Sequence, residues 1–117
     1  MRLSRAMRLK TKREFTQIRD QGKRLAKGCL VANWMVLPPG SQMQLGVITS
    51  RRLGNAVVRA RARRLLREAF RLHQCDPTQP VAVVLVARAS ITCKKFSDVE
   101  RDYLAFLRHA RLLKEPS

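Results

Sequence analysis

Between Ser50 and Leu72 nine residues carry the densest chemistry of the chain: Arg51, Arg52, Asn55, Arg59, Arg61, Arg63, Arg64, Arg67 and Arg71, with Glu68 the one acid among them. A guanidinium does not release its proton at ordinary pH and offers a planar fork of N–H donors. Arginines at this density therefore do no acid–base work. They suit phosphate, which the fork holds through two hydrogen bonds at once. At about 100° per residue, Val58, Ala62, Leu65, Leu66, Ala69 and Leu72 fall on one side of a helix. Arg59, Arg63, Arg67, Arg71 and Arg64 fall on the other, with Arg61 on the flank. A solvated helix face normally interleaves Glu with Lys or Arg at i,i+4. This face does not, and its like charges repel, so it exists for an anionic partner.

The elements that position these arginines follow from the same stretch. Gly54 permits positive φ in the turn Leu53-Gly54-Asn55, and the Asn55 side chain can cap the first helical turn. A helix is predicted from about Ala56 to Leu72 or His73. Its N-terminus, beside Arg51, Arg52 and Asn55, adds free N–H groups and the positive end of the helix dipole, which also favour phosphate.

Other chemistries find little support. The chain has 117 residues, room for one domain, and a formal charge of +17 with a pI near 11.6. That balance favours a polyanion, nucleic acid first and an anionic membrane surface second. The membrane reading is weak because the face opposite the arginines has small Ala residues and no aromatic belt. No apolar run approaches a transmembrane length. Met1 to Met7 is basic and lacks the apolar core of a secretory signal, so the chain reads as cytoplasmic. Cys29, Cys75 and Cys93 are odd in number and far apart, against zinc or a disulfide framework and in favour of reduced, structural thiols. His73, at the edge of the apolar stripe, is expected to pack; His109 is isolated. No Ser/His/Asp set, carboxylate pair or Walker loop is present. No catalytic residue, metal ligand or cofactor of the protein itself is assigned.

Along the rest of the chain, Thr11 and Glu14 fit a capping box before a short helix over residues 12–20, with Phe15 and Ile18 apolar and Gly22 a stop. Cys29 to Leu37 reads as a strand, with Leu30, Ala32, Trp34 and Val36 on one face and Val31, Asn33 and Met35 on the other. Gln42 to Ser50 reads as the next strand. The Pro38-Pro39-Gly40-Ser41 loop between them predicts an antiparallel hairpin. Val81 to Ala87, apolar throughout, reads as a central strand buried on both faces. Ser97 and Glu100 suggest a second capping box, starting a helix with Tyr103, Leu104, Leu107, Ala110 and Leu113 apolar. The order is helix, two or three strands, helix, strand, helix. This is an α+β fold, a small two-layer sandwich with helices on a mainly antiparallel sheet. One domain spans 1–117, with a basic N-terminal segment (1–10) and a tail (114–117) expected to be flexible.

Arg51-Arg52-Leu53-Gly54-Asn55-Ala56-Val57-Val58-Arg59-Ala60-Arg61-Ala62-Arg63-Arg64-Leu65-Leu66-Arg67-Glu68 resembles the segment Lys-Lys-x-Gly-Asn-Ala-Val-x-Arg-Asn-Arg-x-Lys-Arg-Leu-x-Arg-Glu of the bacterial ribonuclease P protein family. The resemblance extends over Leu9 to Gly22, the Val81 to Arg88 strand and the final helix. It implies a fold like the second domain of ribosomal protein S5, with a left-handed β-α-β crossover. It implies a part in removing the 5′ leader of precursor tRNA, an endonucleolytic phosphodiester hydrolysis. The partners implied are ribonuclease P RNA and precursor tRNA, with Mg2+ held mainly by the RNA and no obligate protein partner. The arginine helix and the turn before it would contact the RNA. Phe15, Arg19, Asn33 and Arg88 would line the cleft for the leader. The chain departs from the family pattern at Ala60, where Asn is usual, and at Arg19 and Asn33, where aromatics are common. Trp34, one residue on, would face the core. Without the resemblance, a basic ribosomal or other structural RNA-binding protein is the alternative.

Overall fold

The computed structural model describes residues 8–9 and 12–113. The Thr11 cap, most of the basic N-terminal segment and the 114–117 tail lie outside the described residues. In chain order the elements are α1 (Lys12–Gln21), β1 (Lys23–Lys27), β2 (Leu30–Val36), β3 (Gln44–Ile48), α2 (Ala56–Leu72), β4 (Val81–Ala87) and α3 (Phe96–His109). Short 3-10 turns stand at Arg51–Leu53 and Ala89–Cys93.

The sheet order is β1-β2-β4-β3. β1 pairs antiparallel with β2, β2 antiparallel with β4, and β3 parallel with β4. The expected hairpin across Pro38–Ser41 does not form, because β4 lies between β2 and β3. Val81–Ala87 is apolar on both faces, and such a strand is best covered in the middle of a sheet with both edges paired. A parallel neighbour then needs a crossover, and α2 supplies it between β3 and β4. The hairpin sits one element earlier. Lys23–Lys27, three of whose five residues are basic, is the edge strand β1, and Gly28-Cys29 turns it into β2. Lysines on an edge strand also guard it against pairing with other chains.

Two clusters hold the layers. Leu30, Ala32 and Trp34 of β2, Leu45 of β3 and Val81, Val83, Leu85 and Ala87 of β4 pack against α2 and α3. Trp34 meets Phe106 edge-on, with ring centroids 5.1 Å apart, so it faces the core as its register requires. On the opposite face Ile18 of α1 packs on Ala82 and Val84. The α2 stripe is turned slightly from expectation. Ala62, Leu66, Ala69 and Phe70 are buried, while Leu72 is 48% exposed. The large Phe70 ring takes the core position, and burying it removes more apolar area than burying Leu72 would. α3 likewise buries Phe106 beside Val99, Tyr103 and Leu107. It starts at Phe96 rather than after Ser97: Asp98 Oδ2, not Glu100, accepts the N–H of the cap residue, Lys95, at 3.1 Å.

Candidate nucleic-acid interface

The turn before α2 is built as its sequence suggests. Asn55 Oδ1 accepts the Val58 N–H at 3.0 Å, and Gly54 holds φ 149°. Leu53 packs on the core and anchors the 3-10 turn, leaving Arg51 and Arg52 exposed beside the helix N-terminus.

The arginines of α2 occupy three zones, not one face. Arg59, Arg63 and Arg67 are half-buried on the flank that runs along the β3 side. Arg63 Nη1 donates to Thr49 Oγ1 at 2.8 Å, and Arg59 Nε is buried with no hydrogen-bond partner among the described residues. Burial, together with the Arg8 and Arg63 guanidiniums, pushes the Arg67 pKa down. Arg64 stands outward, exposed, and Ala60 beside it is exposed too. Arg61 lies on the other flank, exposed, with Nη2 donating to the Lys94 carbonyl at 2.6 Å. Arg71 differs from the rest. Its guanidinium grips Glu68 with two N–H donors, so its charge is partly neutralised within the chain.

The predicted cleft residues lie at the sheet face that carries α1. Phe15 is half-buried, and its ring rests on the bare backbone of Gly46, where an added Cβ would stand 2.5 Å from Cε1. Arg8, Leu9, Phe15, Leu45, Gly46, Val47 and Arg67 enclose a hollow of about 90 Å³. Asn33 is half-buried in the same cross-sheet row as Gly46, through Val84 and out to Arg24. The next row, Ala26, Val31, Val86 and Ile48, offers an aliphatic floor whose outer member, Ile48, is 39% exposed. Arg88 sits beyond the end of β4, exposed, and reaches the Gly28 carbonyl at 3.3 Å. Arg19 is exposed, with Nε 3.3 Å from Asp20 Oδ1. Phe15 and Arg67 are thus brought together, while Asn33 and Arg88 stand farther along the sheet. Arg8 joins this group through its pairing with β3 at Leu45, a long-range contact with no signal in the local sequence.

His73 does not simply pack. Nδ1 lies 2.6 Å from Asp76 Oδ2 and Nε2 2.8 Å from Glu100 Oε2. Burial lowers its pKa, but the hydrogen bonds and charges of Glu100 and Asp76 outweigh that and leave it raised. Cys29 is buried and its thiol is pushed up to about 12, chiefly by desolvation, so it is inert as a nucleophile; Cys75 and Cys93 are exposed rather than core thiols. Among the described residues no group of three or more His, Cys, Asp or Glu gathers as a metal site, and no helix is long and apolar enough to cross a membrane.

A sequence model of the family described as Ribonuclease P matches residues 3–111. The chain belongs to the ribonuclease P protein family. It is 34% identical to the ribonuclease P protein component of Syntrophomonas wolfei over 94% of this chain and 92% of that one. It is 32% identical to that of Symbiobacterium thermophilum over 95% and 96%. Among solved structures, the Staphylococcus aureus RNase P protein shares the fold with a TM-score of 0.83 at 24% identity, over 94% of this chain and 100% of that one. The Thermotoga maritima RNase P protein gives 0.76 at 25% identity, over 87% and 96%. The chain's function is that of its family: the protein component of the ribonuclease P endoribonuclease, in tRNA 5′ maturation.

Proposed function

We propose that α2 and the turn before it dock this chain onto ribonuclease P RNA, and that the 5′ leader of precursor tRNA lies between α1 and the open rows of the sheet, in the cytoplasm. The observation that carries the reading is the set of α2 guanidiniums that face solvent or the cleft without a carboxylate partner among the described residues. Arg51, Arg52, Asn55 and Arg64 meet RNA directly at the helix start and its outer face. Arg59, Arg63 and Arg67 form a positive flank leading from that face toward the hollow beside Phe15. Ala60 can neither donate nor accept, so RNA contact at the centre of the face rests on the arginines around it.

In this reading Mg2+ is held mainly by the RNA. The described carboxylates do not fit a divalent-cation site, because at most two approach any one basic partner and no three gather as a metal site. Glu68 grips Arg71, Asp76 and Glu100 flank His73, and Asp98 lies 3.5 Å from Arg101. A two-metal site needs several carboxylates converging within a few ångströms. The chain's own contribution is positioning and charge, and RNA-free protein is expected to leave precursor tRNA intact.

The test is reconstitution with a bacterial ribonuclease P RNA at low magnesium, where the chain should restore leader cleavage, alongside a salt titration of RNA affinity for Arg59→Ala/Arg63→Ala. Each lost phosphate contact should lower the salt slope by roughly 0.7–0.9 unit. Folding should change little. Losing the Arg63–Thr49 bond costs about 0.5–1.5 kcal/mol, while relief of two i,i+4 repulsions returns roughly 0.2–0.5 kcal/mol each. Unchanged affinity and slope in the double variant would remove α2 from the interface.

A further inference from the structure

Arg61 stands apart from the other arginines because it reaches out of α2. Its bond to the Lys94 carbonyl joins the second turn of the helix to the link between the 3-10 turn Ala89–Cys93 and α3. That 3-10 turn also packs against the turn Arg51–Leu53 and against α2. Three segments distant in sequence therefore meet. They bring Arg51 and Arg52, Arg61 and Arg64, and Lys94 and Lys95 to one region. Lys95 is exposed and Lys94 half-buried. The nearby acids are already engaged. Asp98 accepts the Lys95 N–H and faces Arg101, and Asp102 accepts the Cys29 N–H at 3.0 Å. None of these six cations has an ion pair among the described residues.

We propose that Lys94 and Lys95 extend the docking surface for ribonuclease P RNA beyond α2, and that Arg61 is the positioning residue that holds them level with the helix. The ligand class is the phosphodiester backbone of a structured RNA. Like-charged groups brought together without counter-charges favour a polyanion over a protein partner of ordinary composition. The source is the catalytic RNA rather than the leader. Lys94 and Lys95 adjoin the flank of α2 that points away from β3, whereas Phe15 and the open sheet rows lie on the α1 side. The proposal rests on the α2 reading and adds a second contact region to it. Arg61 keeps its charge while one arm fixes the Lys94 backbone, so it serves both the fold and the field.

The experiment measures the salt dependence of ribonuclease P RNA affinity for Lys94→Ala/Lys95→Ala. Arg59→Ala/Arg63→Ala serves as the arm that tests α2, and Arg108→Ala/Arg111→Asn as a remote loss of equal charge. Arg111 has φ 59°, which Asn tolerates. The lysine variant is expected to lose roughly 1.4–1.8 units of slope, and the remote variant clearly less. If the α2 variant flattens the slope and the lysine variant does not, the extension fails while the α2 reading stands. If neither flattens it, both fall. Equal losses in the lysine and remote variants would mean net charge alone, which also overturns the extension. Arg61→Lys keeps the charge but loses the fork; it should flatten the slope with little change in melting temperature, and a shift in melting alone would make Arg61 merely structural. A measurement without substitution keeps the proposal exposed should the lysine variant misfold. Acylation of the Lys95 amine by an N-hydroxysuccinimide ester should slow several-fold when the RNA binds. Unchanged reactivity in the complex would overturn the extension.

Discussion

Phe15 separates packing from recognition better than any other cleft residue. Its ring covers Gly46 and touches the cluster of Leu9, Ile18, Ala82, Val84 and Val86, yet it remains half-exposed toward the cleft. Truncating a fully buried Phe to Ala costs about 3–5 kcal/mol. Half-burial here scales that to roughly 2 kcal/mol for Phe15→Ala. Phe15→Leu keeps most of the apolar volume and should cost less than about 1.5 kcal/mol. It removes the π-face altogether. If an RNA base stacks on the ring, either substitution should weaken leader-bearing substrate by about 1–3 kcal/mol. That is roughly 5- to 150-fold in Kd. Binding of mature tRNA, which lacks the leader, should be unchanged. The assay pairs melting curves of the two variants with affinities for precursor and mature tRNA in the presence of the RNA subunit. Leader affinity retained by Phe15→Leu would refute stacking and leave Phe15 a packing residue. Equal loss for both tRNAs would point to a displaced α1.

Further outcomes follow from the geometry around α3 and the β1–β2 turn. His73 has a raised pKa in the fold, so its pairing stabilises fully below its ordinary value of 6.5 and is lost as pH rises through the raised value. Melting temperature should therefore fall above about pH 6.5 in the parent and less in His73→Gln, and parallel pH profiles would refute the clamp. Gly28 has φ +52°, and a Cβ there would collide with the Asp102 carboxylate that accepts the Cys29 N–H. Gly28→Ala should cost about 2–4 kcal/mol, from the left-handed backbone and the lost bond; a neutral denaturation midpoint would contradict it. Tyr103 Oη is buried with no partner among the described residues, and burial raises its pKa. Tyr103→Phe should stabilise by about 1 kcal/mol, whereas a destabilised variant would reveal a hydrogen bond that serves the hydroxyl.

How much the sequence disclosed depended on whether a signal was local. The Asn55 cap, the bounds of α2, the buried character of Val81–Ala87 and the inward Trp34 all follow from neighbours a few residues apart, and each is found in the fold. The order of strands is a long-range matter. Nothing in Pro38–Ser41 reveals that β4, nearly forty residues on, will part β2 from β3. Lys23–Lys27 lacked the apolar alternation that marks a half-buried strand, since an edge strand need bury little. At the candidate site, residue types pointed to phosphate, but orientation did not follow from a wheel alone. Phe70 turned the buried stripe of α2, and the neighbours on each flank put Arg61 on the Lys94 carbonyl and Arg67 beside Leu45 and Gly46. Arg8 and Lys94 joined the arginines through tertiary contacts.

The distribution of acids explains how a chain of charge +17 can fold and still present a bare cationic surface. With 8 Asp and Glu against 25 Lys and Arg, most cations must go without a partner. The acids are not scattered evenly. Asp76, Asp98, Glu100 and Asp102 all sit on α3 or just before β4, and Glu68 lies in the last turns of α2. There they fasten the end of α2 to α3 through His73 and α3 to the β1–β2 turn through the Cys29 N–H, and Asp98 caps the start of α3. Partly buried ties of this kind are screened less by salt than exposed pairs. Among the described residues the first turns of α2 and the turn before them receive no acid, so their repulsion persists in the free protein and, in the proposed docking, is relieved by phosphate. Binding should then stabilise the fold at low salt by more than at high salt, as mass action requires for a ligand whose affinity falls with salt. Acids placed among Arg59, Arg61 and Arg64 would steady the free chain and weaken its grip on RNA by the same charges.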